Sequence, residues 1–319
     1  MSKTTKIRWV IAHEPLNLFL RAAEDFERRV NEQQTEHEIQ VEIMTLTEYS
    51  HRYNNGVIVT KHDLLDLMEA GQIEMSQMYT TWLAERYEQD FLAFDMPFLF
   101  RDHDHATRVL EGEVGETLLA KLTDKSNVRG LSFTYSGGFR QMISSKKVST
   151  LEELAGTPVR SNRNPVAQAT IRALGMKPVV AEVEDLRQVV VDGLAHGGET
   201  NYPRMYPLRH NEVTKSVIDT GHSLFLTSMI IGNRFWDSLS PQVQAVIKQA
   251  AVLAGREERA ETIRDGARAE QQLVEQEGAN IVKWTQEQRE SAKSALSDVY
   301  DQFRDTFTPG LIDAIERKA

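Results

Sequence analysis

Two arginines, Arg140 and Arg160, have the residue type and position of ligand contacts. Arg140 lies in the segment Ser136–Gln141 and Arg160 in Thr157–Asn162, each directly after or within a predicted strand or turn. Open α/β sheets place their ligand contacts at such positions. A guanidinium is a planar fork that matches the two oxygens of a carboxylate, so one arginine can attract and orient such a ligand. From spacing alone, a structural salt bridge is the alternative for both.

Sequence motifs of common enzymes are absent. No glycine-rich phosphate loop follows a strand, and neither a His-Glu-x-x-His pair nor a Gly-x-Ser-x-Gly turn occurs. The nearest approach to a metal site is Arg101–His105, which reads RDHDH. If Asp102 begins a helix, His103 and His105 project to different faces, so helix capping by Asp102 or Asp104 is the preferred interpretation. We expect neither an enzyme nor a metal or other cofactor.

Length and charge restrict the class of protein further. At 319 residues the chain exceeds the size at which one hydrophobic core stops growing, so two lobes are expected. Hydrophobic residues make up 40% and charged residues 26%, which is typical of a folded globular protein. The formal net charge of −10 would repel a nucleic-acid backbone, and nucleic acid is not expected as a partner. With no cysteine, disulfides and thiolate zinc sites are excluded.

The start of the chain lacks a recognisable leader. Six mostly polar residues run directly into the strand-like segment Ile7–Ile11, and no apolar stretch has the length of a signal peptide or membrane span. Either the protein is cytoplasmic or a leader has been removed.

Strand-like and helix-like segments alternate along the chain, which predicts mostly parallel sheets covered by helices. The predicted strands are Ile7–Ala12, Ile39–Met44, Ile73–Met78, Arg129–Ser136, Pro158–Ser161 and Pro178–Val180. The predicted helices lie around residues 18–30, 63–68, 102–114, 149–154 and 166–174, with one long helix over 241–277. Gly137 and Gly138 follow a strand and suit a sharp change of direction or a hinge, with a plain surface turn as the alternative.

Four short motifs, in this order and spacing, resemble one family of transport proteins. They are Phe94–Asp102 (FDMPFLFRD), Gly138–Gln141 (GFRQ), Pro158–Arg160 (PVR) and Ala173–Pro178 (ALGMKP). Together they resemble the solute-binding proteins of tripartite ATP-independent periplasmic (TRAP) transporters, of the dicarboxylate-binding DctP type. The resemblance extends from Ile7 to the long carboxyl-terminal helix.

This resemblance implies a fold, a function and a set of partners. The implied fold is an α/β, two-lobed periplasmic-binding-protein-like fold with hinge strands and a long helix spanning both lobes. We expect lobe I to comprise 1–136 and 226–265, and lobe II 137–225 and 266–319, with the ligand between them. A monomeric periplasmic protein is implied, which would capture a small carboxylate-bearing solute and deliver it to the TRAP membrane permease. The implied location requires a leader peptide that this sequence lacks.

The family also implies roles for individual residues. Its arginine at the position of Arg160 forms a two-pronged salt bridge to the ligand carboxylate, and that of Arg140 is often a second polar contact. Where the family has an asparagine that hydrogen-bonds the ligand, this chain has Thr200, so Thr200 is a candidate ligand contact. Its shorter hydroxyl would make the contact weaker or water-mediated, or the contact would be taken over by Asn201 or Tyr202. Val183 stands where many members carry a ligand-packing phenylalanine.

Further candidates concern the remainder of the ligand. Tyr79, Trp82, Tyr202 and Phe225 could supply the aromatic contact that Val183 does not, although each could equally be a core residue. The segment Ala12-His13-Glu14 resembles the opening of ectoine-binding members, in which the glutamate meets the cationic part of the ligand. If Glu14 and Arg160 both face the cleft, a zwitterion such as an amino acid or an ectoine would be favoured over a dianion. An organic acid or a sugar acid is the alternative solute. Its alternative is an exposed loop carboxylate.

Two other functions compete with uptake. A ligand-sensing module that signals to a chemoreceptor or sensor kinase would have the same binding residues but a different partner. An enzyme on a similar two-lobed scaffold is the second, and it would need a nucleophile and base, or a metal motif, that the sequence does not display.

Overall fold

The chain forms two compact units. A computed structural model describes residues 4–13, 16–33 and 38–317. Unit 1 comprises Met1–Glu88, Leu110–Ser136 and Leu226–Glu261, and unit 2 comprises Gln89–Val109, Gly137–Phe225 and Thr262–Ala319. Residues 89–109, which we had expected in lobe I, therefore group with unit 2, and the division within the long helix follows residue 261 instead of 265. The assignment of lobes otherwise stays a prediction.

Strands and helices alternate through most of the described chain. The strands are β1 Thr4–Val10, β2 Glu38–Met44, β3 Met75–Tyr79, β4 Val128–Phe139, β5 Gln141–Ser144, β6 Pro158–Ser161, β7 Lys177–Val180, β8 Gly197–Thr200, β9 Ser216–Asp219, β10 Leu224–Gly232 and β11 Asn280–Lys283. The α-helices are α1 Asn17–Glu32, α2 Leu46–Tyr53, α3 Leu64–Glu69, α4 Thr80–Arg86, α5 His103–Leu110, α6 Glu113–Lys125, α7 Pro165–Ala173, α8 Leu186–Val191, α9 Asn233–Asp237, α10 Pro241–Glu277, α11 Gln286–Ala295, α12 Ser297–Phe303 and α13 Leu311–Arg317. In the described part of the chain, none of these helices is both long and apolar enough for a membrane span.

The first sheet has the strand order β2-β1-β3-β10-β4. β1 is parallel to both β2 and β3, whereas β10 is antiparallel to β3. The apolar stripe of α1 packs on this sheet, where the rings of Trp9 and Phe26 lie 5.1 Å apart in a fully buried core. The near-helical spacing of apolar residues in α1 thus reflects the face that the sheet covers.

The second sheet lies wholly in unit 2, in the order β11-β9-β5-β8-β6-β7. Met142 and Ile143 are adjacent in β5 and belong to different hydrophobic clusters, so both faces of the sheet are covered. β5 runs antiparallel to β8 and to β9. The expectation of mostly parallel sheets is wrong for these strands and for β10, because alternation predicts direction only for strands joined by a direct helical crossover.

Two helix predictions have different outcomes. The long helix α10 has the predicted bounds, Pro241–Glu277, and is confirmed. The helix expected over 102–114 is instead two helices, α5 and α6, divided at Gly112, whose backbone is extended. A Cβ on Gly115 would lie 2.1 Å from the carbonyl oxygen of Leu110, so the turn is too tight for a larger residue.

Candidate functional site

Three arginines and one glutamate form a buried cluster in unit 2, which we call the arginine cluster. It consists of Arg140, Arg160, Arg204 and Glu199, and none of the four exceeds 3% exposure. Arginine and glutamate are almost never fully buried without a charged partner. The four residues together carry three positive charges and one negative charge.

Strand register brings the cluster together. Arg140 lies between β4 and β5, Arg160 is in β6, and Glu199 is in β8, which lies between β5 and β6 in the sheet. Arg160 is opposite Gly198 of β8. A Cβ on Gly198 would lie 2.9 Å from the Cβ of Arg160, so a glycine at this position allows the close approach.

Glu199 contacts both of the arginines that the sequence singled out. Its Oε1 accepts a hydrogen bond from Arg140 Nη1 at 2.8 Å and from the backbone N–H of Asn162 at 3.3 Å. Its backbone carbonyl accepts from Arg160 Nη1 at 3.4 Å, while Arg160 Nε donates to the carbonyl of Ala181 at 2.9 Å. One residue therefore positions both guanidinium groups.

Residues that follow β9 in the chain also contact the arginine cluster. His222 Nε2 lies 3.5 Å from Glu199 Oε2, and its Nδ1 lies 2.8 Å from the hydroxyl of Thr220. The Phe225 ring lies against two guanidinium groups, with its centroid 3.9 Å from Arg140 Cζ and 4.6 Å from Arg204 Cζ. Such cation–π contacts favour a positive charge that has been removed from water.

The pKa values reflect burial and these charges. Burial, and secondarily Arg140 and Arg204, lower the pKa of Arg160 to about 10 against the opposing effect of Glu199, so Arg160 stays protonated at neutral pH. Burial alone would raise the pKa of Glu199, but Arg140 and His222 lower it to about 2. Glu199 is therefore ionised throughout the physiological range.

Arg140 keeps donors that its known contacts do not use. Its Nε and Nη2 atoms are buried and have no hydrogen-bond partner among the described residues. A buried, unsatisfied N–H costs about 1–3 kcal/mol, and more when the group is charged. An anionic oxygen is the group that would best satisfy these two donors.

Gly137 and Asn201 are in close contact beside the cluster. Gly137 has φ +102° and Gly138 φ +76°, and both are buried within β4, so the surface-turn alternative is wrong. A Cβ on Gly137 would lie 2.0 Å from Asn201 Oδ1. Both the backbone conformation and the available space therefore require glycine at position 137.

Thr200 is held by a histidine that the sequence did not single out. Its Oγ1 lies 2.9 Å from His210 Nδ1, and His210 Nε2 lies 3.0 Å from the carbonyl oxygen of Val183. Thr200 is 3% exposed and His210 is fully buried. Two of the positions that depart from the family pattern, 183 and 200, are thus joined through one imidazole.

Tyr202 lies in a different environment from the arginines. It packs in a hydrophobic cluster with Ile143, Leu186 and Leu273. It also lines a cavity of about 330 Å³ whose lining includes neither Arg140 nor Arg160. Its predicted ligand contact therefore has no support from the packing around it.

The remaining predicted contacts lie elsewhere in the chain. Tyr79 and Trp82 belong to unit 1, where their rings are 5.6 Å apart and Trp82 stacks on His62 at 4.6 Å. Glu14 falls outside the described residues. The structure thus brings Arg140, Arg160 and Phe225 together and adds three residues that the sequence reasoning missed, namely Glu199, Arg204 and His222.

The RDHDH segment has a structural role in unit 2. Asp102 Oδ1 accepts a hydrogen bond from the backbone N–H of His105 at 2.6 Å, which confirms Asp102 as the cap of α5. The ring of His103 packs at 4.9 Å from that of Phe139, and His105 Nε2 lies 2.9 Å from the carbonyl of Ile315. Within residues 4–13, 16–33 and 38–317, no group of three metal-ligating His, Asp or Glu side chains occurs.

The chain is similar in sequence and in fold to known bacterial solute-binding proteins. Over 264 residues it is 24% identical to the C4-dicarboxylate-binding periplasmic protein DctP of Rhodobacter capsulatus, and this alignment covers 83% of this chain and 79% of that protein. A TRAP periplasmic solute-binding protein from Ochrobactrum anthropi has TM-score 0.87 at 24% identity, covering 99% of this chain and 95% of that one. The D-glucuronate-bound protein from Pseudomonas putida F1 has TM-score 0.78 at 23% identity, covering 98% and 96%.

The fold is therefore the two-lobed α/β fold of periplasmic binding proteins, as the sequence predicted. The model of bacterial extracellular solute-binding protein family 7, DctP, matches residues 11–306. The chain belongs to this family of solute-binding proteins.

Proposed function

We propose that this protein is the periplasmic solute-binding component of a TRAP transporter and that it captures a small carboxylate through the arginine cluster. The observation that carries the proposal is Arg140, whose buried Nε and Nη2 have no partner among the described residues. Family membership supplies the transport context, because relatives include proteins named for C4-dicarboxylates and a structure with bound D-glucuronate.

Arg160 is the proposed principal carboxylate contact. Its Nε and Nη1 are fixed by backbone carbonyls of Ala181 and Glu199, so the guanidinium plane is oriented before a ligand arrives. Such preorganisation lowers the entropic cost of binding. Arg140 is the proposed second contact, held in place by the carboxylate of Glu199. Closure of the two lobes and transfer of the solute to the membrane permease complete the proposed cycle.

Substitution at Arg160 tests the proposal. A thermal-shift screen of organic acids, sugar acids, amino acids and ectoines first finds acids that stabilise the folded protein. Arg160→Ala should then weaken calorimetric binding of those acids by about 2–5 kcal/mol, because the carboxylate loses a buried charged partner. Arg160→Lys should also weaken binding, because a point charge cannot replace the planar fork.

The matched control is Arg163→Ala, three residues further along. Its side chain is 67% exposed and pairs with Glu182 at 3.2 Å, so its loss should leave affinity unchanged. Affinity within threefold of the parent protein after Arg160→Ala would refute the assignment of Arg160.

A further inference from the structure

The cavity beside Tyr202 lies apart from the residues that are proposed to hold the solute. Its volume of about 330 Å³ falls in the range of about 300–1,000 Å³ that is typical of small-molecule sites. The lining comes from α10, α11, β4, β5 and the segments next to α5, β8 and β9, all of them within unit 2. None of the four residues of the arginine cluster lines it.

Two segments of unit 2 contribute neighbouring residues to the cavity and to the arginine cluster. Phe139 and Gln141 line the cavity, whereas Arg140 between them belongs to the cluster. Pro203 lines the cavity, and the next residue, Arg204, belongs to the cluster. The cavity and the cluster therefore share stretches of backbone but use different side chains.

A glycine in α10 keeps space in this cavity. Gly266 lies inside the helix, where glycine is destabilising, and it lines the cavity. A Cβ at this position would lie 3.8 Å from its nearest neighbour, Pro203 Cδ, which is an ordinary contact. Gly255 in the same helix differs, because a Cβ there would lie 2.9 Å from Ser132 Oγ. Packing thus requires glycine at 255 but not at 266, where the missing side chain leaves the cavity open.

Two arginines in the cavity wall bind backbone carbonyls instead of carboxylates. Arg289 donates from Nε to the carbonyl of Thr220 at 2.9 Å and from Nη2 to that of Asp219 at 3.3 Å. Arg101 donates from Nη1 to the carbonyl of Glu316 at 3.2 Å. A carbonyl carries no net charge, so these contacts orient the guanidinium groups without neutralising them.

Acidic residues of the cavity wall balance these arginines. Asp219 and Glu270 share one ammonium group, Lys283 Nζ, at 2.9 and 2.5 Å, so the pair has one negative charge in excess. Asp102 is a further carboxylate of the wall and caps α5. Burial lowers the pKa of His103 to about 4, so its ring is uncharged at neutral pH. With Lys283 included, three cations and three carboxylates lie at the cavity and their formal charges cancel.

We propose that this cavity is a second ligand site, which takes a small zwitterion with one carboxylate and one ammonium group, such as an amino acid. Arg101 and Arg289 bind its carboxylate, for which a guanidinium is the matching donor. The pair Asp219 and Glu270 attracts its ammonium group through the excess negative charge. A dianion or a simple cation would leave one of these sets of charges without a partner. The proposal does not depend on what the arginine cluster binds.

Matched probes isolate the two charges of the ligand. 2-Aminobutyrate and 4-aminobutyrate are zwitterions, butyrate lacks their ammonium group, and propylamine lacks their carboxylate. Each probe is titrated into the full chain at neutral pH, and binding is followed by the Nε–H signal of Arg289 in ¹H–¹⁵N spectra, which Arg289→Gln identifies. One zwitterion should bind roughly fivefold tighter than butyrate and propylamine, because each truncated probe loses one set of partly exposed ion pairs.

Variants of Gly266 test whether binding occurs in the cavity, and neither changes a charge. Gly266→Ala adds only a Cβ in ordinary contact and should keep the affinity for the zwitterion. Gly266→Phe should fill part of the cavity and weaken binding by roughly tenfold or more. Thermal unfolding checks that both variants fold.

A charge variant keeps the test independent of Gly266. Arg101→Gln should lower the preference for the zwitterion over propylamine, because one of the two guanidinium groups is lost. The control is Arg304→Gln, which removes an exposed arginine that pairs with Asp301 outside the cavity and should leave this preference unchanged. The preference compares two ligands on one protein, so a uniform loss of stability does not change it.

Zwitterion binding that Gly266→Ala retains and Gly266→Phe removes would support the second site. Three results would overturn it: no probe shifts the Arg289 signal, butyrate or propylamine binds as tightly as the zwitterions, or binding persists in folded Gly266→Phe. The proposed function is tested at Arg160 instead, so either proposal can fail without the other.

Discussion

Glu199→Gln is the change that most directly tests the electrostatics of the arginine cluster. Glutamine has nearly the same shape as glutamate but no charge, so it leaves Arg140 and Arg160 without their shared counter-ion. In the parent protein, Arg140 Nη1 and the backbone N–H of Asn162 donate hydrogen bonds to a carboxylate oxygen of Glu199; in the variant they would face a neutral amide. We therefore expect a loss of stability that is local to unit 2.

The magnitude follows from the pKa of Glu199. The lowering from 4.5 to about 2 corresponds to about 3 kcal/mol of preference for the ionised carboxylate in the folded protein. Because the folded pKa is the lower one, this contribution is complete above about pH 4.5. It is lost as the pH falls towards 2, so the parent protein and the variant should become equal in that range.

Amide hydrogen exchange can measure this effect in unit 2 alone. Peptides that cover β5 and β8 should exchange roughly one hundredfold faster in Glu199→Gln, the factor that corresponds to about 3 kcal/mol, up to the limit set by global unfolding. The control is Glu212→Gln, which removes an exposed carboxylate that pairs with Arg187 and Arg209. Exchange within threefold of the parent protein in both variants would refute the view that Glu199 holds the cluster together.

Further predictions concern the backbone, a buried histidine and a helix cap. Gly137→Ala should lower the free energy of unfolding by about 3 kcal/mol in urea denaturation, because the positive φ and the clash of the new Cβ with Asn201 both act against alanine. The control is Gly56→Ala, which has φ +78° but no neighbour within 4 Å and should lower the free energy of unfolding by only about 1 kcal/mol. The folded pKa of His210, about 4, lies below its ordinary 6.5, so stability should fall by about 3 kcal/mol between pH 6.5 and 4. His210→Asn should flatten this pH profile, and an unchanged slope would contradict the assignment. Asp102→Ala should cost about 1 kcal/mol in thermal unfolding, and Asp104→Ala should cost less.

Much of the secondary structure was predictable because local patterns determine it. The helix Pro241–Glu277 has no internal proline and has a regular apolar spacing, and the strand Pro158–Ser161 is bounded by turn residues. The division between α5 and α6 was missed because the apolar spacing continues through Gly112. Strand direction was also missed, since β10 joins the first sheet only after the chain has passed through unit 2.

The site was predictable only in part, for a reason that lies in strand pairing. Arg140 and Arg160 could be identified from the strands and turns that contain them. Glu199 and His222 are 23 positions apart in the sequence, and only the pairing of β5 with both β8 and β9 brings them together. Arg204 has no local signal, because its role depends on its position against the ring of Phe225.

Thr200 and Val183, the two positions that depart from the family pattern, are connected in the structure through His210. Taken separately, Thr200 is a shorter side chain in place of an asparagine and Val183 a smaller one in place of a phenylalanine. In the structure His210 binds the backbone of one and the hydroxyl of the other, so a change at either position alters the hydrogen-bonding of the same imidazole. The proposed carboxylate contacts depend on Glu199 instead, and the two networks are joined through the adjacent residues 199 and 200 of β8. Because the charges of Arg160 and Arg204 help to lower the pKa of His210, the arginine cluster also acts on this second network.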